Sequence, residues 1–216
     1  MSESVAAFQL VGNADVAPQM AAYMKNQFPF VGVQSVARRQ QSRPLVQASR
    51  QVPVATALDW IAALAHRRER EYTYVAYDLA SATVRRFTLA DLQTLLPLLL
   101  HEPWWDSVDG WRKVYGDYLA RQPEALPTVY GWFYAQPSIW QRRVAITLQL
   151  MAKARTDQEL LLQAILYDRT NPEFFLQKAI GWALRQYSKT NADWVRDCLN
   201  TYAFSALAQR EASKFL

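Results

Sequence analysis

Apolar residues in this chain recur at i, i+3 and i+4 and rarely alternate, which is the spacing of helix faces and not of half-buried strands. There are six glycines in 216 residues, too few for the tight turns of a β-sandwich, and the one Asp109-Gly110 pair lies inside a helical pattern, where it is no hairpin signal. With 51% hydrophobic and 13% aromatic residues, the chain has ample material for a packed core and little of the character of a disordered one. Its length permits one large domain or two small ones and the burial of most of its apolar surface. The expectation is an all-α protein.

The helices are punctuated by proline. Pro53, Pro103, Pro123, Pro137 and Pro172 fall at or near helix starts, where a missing N–H costs little. A helix over 88–101 opens on Thr88 as its cap, and Pro97 should bend or end it. Another opens at Thr156 in Thr-Asp-Gln-Glu, the form of a capping box. About twelve or thirteen short helices with short loops result, and helix pairs recurring every 35 to 45 residues or so are the signature of an α-solenoid. No exact sequence period is visible, so a compact bundle stays open. The spacing of unusual residues favours the solenoid: Trp105 and Asp109, then Arg143, then Trp182 would occupy equivalent helices of successive repeats and line one concave surface.

Several function classes are excluded by what the sequence lacks. A single cysteine, Cys198, rules out an internal disulfide framework and suits a reducing compartment; its place in the Trp194, Val195, Cys198, Leu199 pattern is that of a small buried apolar residue. Two histidines, His66 and His101, are too few and too far apart for a metal cluster. No basic region precedes an apolar run at the N-terminus, and LLPLLL is broken by Pro97, so the chain reads as unprocessed, cytoplasmic and without membrane attachment. The net charge of +5, from 24 basic against 19 acidic residues, permits an anionic partner without requiring one.

Four constellations could carry chemistry. In the helix over 103–121, Trp104, Val108, Trp111 and Tyr115 form a buried stripe, and Trp105, Asp109 and Arg112 fall on the neighbouring one. Asp106 and Ser107 suit the free amides of the helix N-terminus. Asp109 lies too deep for capping, so it is a solvated acid, a partner for Arg112 or Lys113 at helical spacing, or a working carboxylate. In QKAIGWALRQYSKT, residues 177–190, Lys178, Trp182, Arg185 and Lys189 make a positive stripe with an aromatic plate, while Ile180, Ala183, Leu184 and Tyr187 supply packing. A third stripe carries Arg39, Arg43 and Arg50 with Arg38 beside it, in a region, 38–86, holding nine arginines against four acids. Guanidinium forks suit phosphate oxygens. In IWQRRVAI, Arg142 and Arg143 point about a quarter-turn apart, so at most one need face a groove.

Together these segments resemble the AlkD-type DNA glycosylases of the DNA alkylation repair family. The matching stretches are AAYMKNQFPFVGVQS (21–35), WWDSVD (104–109), IWQRRVAI (139–146), FFLQKAIGWALRQYSKT (174–190) and QREASK (209–214), so the resemblance runs over nearly the whole chain. It implies an α-α superhelix of about six HEAT-like repeats, a single domain over 1–216 with a concave basic groove, and a monomer acting on double-stranded DNA that contains alkylated bases, at the nucleoid of a prokaryotic cell. It implies excision of cationic purines such as 3-methyladenine and 7-methylguanine by hydrolysis of the N-glycosidic bond, leaving an abasic site without conventional base flipping.

By the same resemblance Asp109 is the catalytic carboxylate, Trp105 and Trp182 are the aromatic walls beside the lesion's sugar and backbone, and Arg143 is a phosphate or groove contact. Tyr23 matches a groove tyrosine, and Gln34 and Ser35 belong to a backbone-contacting turn. Val36 departs from the proline that relatives often carry after that pair. Arg38, Arg39, Arg43, Lys178, Arg185 and Lys189 complete the expected DNA contacts, with no cofactor and no metal. A purine that already bears positive charge needs no general acid to leave, and a fixed carboxylate can stabilise the oxocarbenium-like sugar. The competing reading is a non-catalytic HEAT-like scaffold that binds DNA or protein, which has no need of Asp109.

Overall fold

A computed structural model describes residues 5–216; residues 1–4 of the expected single domain lie outside the described part. Among the described residues the chain forms thirteen α-helices, four short 3-10 turns and no strand. No helix there is long and apolar enough to cross a membrane. The chain divides into two compact units, Met1–Glu102 and Pro103–Leu216.

The first unit holds α1 (Ala17–Tyr23), α2 (Ser35–Ser49), α3 (Val54–Ala65), α4 (Arg70–Thr83), α5 (Leu89–Gln93) and α6 (Leu96–Leu99). Its centre is α4, which packs against both α2 and α3 and is buried nearly all round, as a helix must be when apolar faces meet it from two sides. Leu45 of α2, Ile61 and Leu64 of α3, and Val75 and Leu79 of α4 are fully buried. Thr88 caps α5 in a full capping box with Asp91, as its sequence indicates. The single helix expected over 88–101 is broken into α5 and α6, because Pro97 cannot donate the bond that would continue it and sits at the second position of a new helix.

A buried acid shapes the approach to α2. Glu71, fully buried on α4, accepts hydrogen bonds from the backbone N–H groups of Val31, Gly32 and Val33 at 2.9, 2.8 and 3.0 Å. Three backbone donors offset the desolvation of its carboxylate. Gly32 is required in this turn: its φ is +90°, and a Cβ there would lie 2.1 Å from the carbonyl oxygen of Asn13. The result fixes the segment that delivers Gln34 and Ser35 to the start of α2.

The second unit holds α7 (Trp105–Leu119), α8 (Leu126–Gly131), α9 (Ile139–Thr147), α10 (Gln158–Asp168), α11 (Phe174–Ser188), α12 (Ala192–Thr201) and α13 (Ala206–Ala212). Side-chain caps start four of them: Ser138, Asp157, Asn191 and Ser205 accept from backbone amides two or three residues on. The cap of α10 is therefore Asp157 and not Thr156, one residue later than the capping-box pattern suggests. Helix α11 is the hub, packing against α9, α10, α12 and α13 through Ile180, Ala183, Leu184 and Tyr187, all buried as their spacing indicates.

In α7, Val108, Trp111 and Tyr115 are fully buried. Trp104 differs from its expected place in that stripe. It is half-buried and extended before the helix begins, with its ring 5.5 Å from Trp140 and 5.1 Å from Phe175. The aromatic cluster ties the entry of α7 to α9 and α11. Cys198 is buried, which pushes its thiol up to about 11, and so it is an inert packing residue.

Candidate active site

Helices α7, α9 and α11 converge on Asp109. Arg143, on α9, approaches the carboxylate side-on: its Nε donates to Oδ1 at 3.0 Å and its Nη2 to Oδ2 at 2.8 Å. The third arm, Nη1, donates to the carbonyl oxygen of Phe175 at 2.7 Å, at the first turn of α11. The phenyl ring of Phe175 is itself wedged against Trp104 and Trp140. The carboxylate is thus held by a guanidinium that is in turn held by a backbone oxygen in a packed aromatic cluster. The Asp109 side chain keeps 21% of its exposure while that of Arg143 keeps 5%, so the anion faces an opening and its cation does not. A side-on fork occupies one lone pair of each carboxylate oxygen and leaves the outer ones open.

Trp105 stands one helical turn before Asp109 on the same face of α7 and is half-buried. Trp182, on α11, is half-buried as well, and the Arg112 guanidinium carbon lies 5.8 Å from its ring centroid. Arg112 is 8% exposed, and burial lowers its pKa against the opposing pull of Asp109 and Asp117. The three residues assigned to chemistry by resemblance are therefore grouped by two arginines, one bonded to Asp109 and one set against Trp182. Asp109 takes neither helical-spacing partner, since Lys113 pairs with Asp117.

The basic residues fall into two kinds. Arg143 and Arg38, expected as DNA contacts, are both engaged within the protein. Arg143 is committed to Asp109 and Phe175, and Arg38, 6% exposed, sits 3.4 Å from Asp78 and 4.9 Å from the centroid of Tyr74. Arg39 and Arg43 are exposed on α2, as is Tyr23 at the end of α1. Tyr23, Gln34, Ser35 and Arg38 line one cavity of about 300 Å³ in the first unit, and the N-terminus of α2 has no side-chain cap. Arg142, beside Arg143, shares its Nε–H between the two oxygens of buried Asp168 at 3.2 and 3.1 Å and is structural.

The stripe on α11 is positive but not open. Glu211 of α13 binds Lys178 at 2.9 Å, Arg185 at 2.6 Å and Lys214 at 2.9 Å. Hydrogen bonds from Lys178 and Lys214 pull its carboxyl down to about 2. Three cations on one anion leave the cluster net positive. Gly181 makes the arrangement possible, because a Cβ there would meet the Cβ of Glu211 at 2.5 Å and the carbonyl oxygen of Ala208 at 2.9 Å. Lys189 is exposed, with its ammonium 4.7 Å from the ring centroid of Phe215. Among the described residues no three of His, Cys, Asp and Glu gather as metal ligands.

The sequence pattern missed the role of Glu211, the anchoring by Phe175 and the burial of Arg112. Glu211 lies in QREASK, where a lone acid between bases was a usable signal; a backbone carbonyl leaves none.

The family model described as "DNA alkylation repair enzyme" matches residues 5–216. A solved structure described as a predicted DNA alkylation repair enzyme from Enterococcus faecalis is 46% identical with a TM-score of 0.95, over 97% of this chain and 98% of that one. AlkD2 from Streptococcus mutans matches with a TM-score of 0.67 at 15% identity, over 93% and 99% of the two chains. The structure of smu.31 from Streptococcus mutans UA159 matches at 0.66 and 14%, over 92% and 98%. The fold is accordingly that of AlkD-type helical-repeat proteins. No curated protein matches.

Proposed function

Because the chain belongs to the DNA alkylation repair enzyme family, we propose that it is a monofunctional DNA glycosylase for cationic alkylated purines of the 3-methyladenine and 7-methylguanine type in duplex DNA. The observation that carries this reading is the forked fixation of a partly exposed Asp109 by a buried Arg143, with Trp105 one turn away on the same helix face. An anion held this rigidly at an opening has little to do in a scaffold, where it would be a solvated surface acid.

The chemistry follows from charge. As the C1′–N bond breaks, its electron pair leaves with the purine and cancels the base's positive charge, so no proton donor is needed at the leaving group. Positive charge passes to the deoxyribose, and the preorganised carboxylate stabilises it there. Water then adds to C1′ and loses its proton to Asp109 or to solvent, leaving an abasic site. The two indoles present electron-rich faces to the cation and exclude bulk water. Arg143 acts through Asp109: it keeps the carboxylate aimed. No lysine serves as nucleophile, so the strand stays intact.

Duplex DNA would be held by polar and basic positions in each unit. In the first these are Tyr23, Arg39, Arg43 and the uncapped start of α2 at Gln34 and Ser35, where backbone N–H groups suit a phosphate. In the second they are Lys178, Arg185 and Lys189 of the net-positive stripe. Recognition through bond lability and sugar contacts dispenses with a conventional flipped-base pocket.

The deciding experiment measures release of 7-methylguanine and 3-methyladenine from methylated duplex DNA by the native protein and by Asp109→Asn. The native protein should release both, and the variant should lose roughly a hundred- to a thousandfold in rate. Full activity in a folded Asp109→Asn protein refutes the mechanism.

A further inference from the structure

The Arg112 guanidinium is a buried cation whose natural counter-ions are already engaged. It is 8% exposed, its Nε has no hydrogen-bond partner, and among the described residues no carboxylate or carbonyl pairs with it. Asp109 has both oxygens on Arg143, and Asp117 is paired with Lys113. Inside the chain it has only the longer-range pull of Asp109 and Asp117 and the ring of Trp182, whereas a buried charge normally gains a hydrogen-bonded counter-ion.

The structure provides a place for it. Arg112 lines a cavity of about 320 Å³ that lies wholly within the second unit, along the face of α7 beyond Asp109. Leu119 and Leu148 form its buried floor, with Leu126 and Met151 toward the rim. Gly116 also lines it, presenting backbone to the cavity with no side chain. Lys113, Asp117 and Arg155 stand at the same cavity; Lys113 and Asp117 neutralise each other as an ion pair, which leaves Arg112 and Arg155 as its positive groups. Its volume is at the low end of the range of about 300–1,000 Å³ found for small-molecule pockets. One buried cation beside an apolar floor matches a ligand with one anionic head and one apolar body.

We infer that this cavity is a binding site for a small amphiphilic anion, a carboxylate or phosphate bearing a short hydrocarbon chain, whose head pairs with Arg112 and whose chain lies on Leu119, Leu148 and Leu126. The site is separate from the Arg143–Asp109 pair and shares helix α7 with it. A bound anion pairs a guanidinium that stands three residues from Asp109 and beside Trp182.

The test uses the full chain and does not depend on any excision activity. Octyl phosphate, octanoate, inorganic phosphate and 1-octanol are titrated while the backbone amide signals of Gly116 and Ala120 are followed by NMR. Octyl phosphate and octanoate should give saturable shifts there, with 1-octanol at least roughly tenfold weaker, the scale of one lost charge-assisted hydrogen bond, and inorganic phosphate at least roughly tenfold weaker for want of buried hydrocarbon. Arg112→Met keeps the apolar stem and removes the lone charge, so the ligand-free variant should melt higher than the native protein. Octyl phosphate should raise the melting temperature of the native protein and leave that of Arg112→Met unmoved. Equal binding of 1-octanol and octanoate, unchanged octyl phosphate binding by Arg112→Met, or a lower melting temperature in that variant overturns the inference. So does a short undamaged duplex that shifts the Gly116 signal where the octyl anions do not, which would give Arg112 to a phosphodiester of DNA.

Discussion

Consider Asp109→Asn, Arg143→Gln and the two combined, each assayed for 7-methylguanine release under single-turnover conditions. Asp109→Asn removes the anion and should cost about a hundred- to a thousandfold. Arg143→Gln keeps the anion but deletes the two bonds at 3.0 and 2.8 Å that aim it. A carboxylate with 21% exposure then swings toward solvent, and a misplacement of about 1 Å is worth about a hundredfold. If Arg143 works only through Asp109, its loss is already contained in the loss of Asp109, and the double variant should be no slower than Asp109→Asn. The coupling would then be about 2.7 kcal/mol, at about 1.36 kcal/mol per tenfold. Both single changes should also lower stability, though by less than the roughly 3–5 kcal/mol of a fully buried pair, because the amide oxygen of Asp109→Asn still accepts one bond and the amide N–H of Arg143→Gln still donates one. At about 2 kcal/mol, and about 2–4 °C per kcal/mol for a chain of this length, the melting temperature falls by about 4–8 °C, so the assay belongs well below it. A double variant slowed by the product of the single effects refutes the positioning role and returns Arg143 to the DNA.

The two kinds of arginine on α2 should separate in the salt dependence of DNA binding. Removing exposed Arg39 or Arg43 should lower the log–log salt slope by about one each, while Arg38→Gln, which breaks a buried contact with Asp78, should lower the melting temperature and leave the slope alone; equal slopes for all three defeat the assignment. Glu211 has a folded pKa near 2, held down by hydrogen bonds from Lys178 and Lys214, so its stabilisation is complete above the unfolded value of about 4.3 and is lost as pH falls toward 2. The gap in melting temperature between the native protein and Glu211→Gln should therefore close over that interval, and a constant gap rejects the cluster's role. Gly181→Ala forces contacts of 2.5 Å with the Glu211 Cβ and 2.9 Å with the Ala208 carbonyl oxygen; thermal melting should show a loss of about 1–3 kcal/mol, and an unchanged melt means that α11 and α13 are less closely fixed than described.

Helical periodicity made much of the fold legible, because burial of one face is a property that each segment carries by itself. Val108, Trp111 and Tyr115 follow it, as do Ile180, Ala183, Leu184 and Tyr187. Departures arose where a local pattern competed with a neighbour. Asp157 displaced Thr156 as a cap because a carboxylate one residue on reaches the Leu160 amide. Trp104 left its stripe because Trp140 and Phe175 offer it an aromatic cluster before the helix begins.

The candidate site divides along the same line. Spacing within a helix places Trp105 beside Asp109, but nothing in that spacing says which cation will meet the carboxylate. Arg112 and Lys113 have the right local separation and are not chosen; Arg143, 34 residues away, is. Choice of partner depends on how α7, α9 and α11 cross, which no single segment encodes. The consequence is chemical as well as descriptive. A carboxylate paired along its own helix would sit on a flexible surface ladder worth about 0.2–0.5 kcal/mol, free to follow solvent. Pairing across three packed helices gives Asp109 a fixed direction and leaves Arg112 attracted to it but not hydrogen-bonded, so the rigidity assigned to catalysis and the guanidinium assigned to a small anion have a common origin in the Arg143 fork.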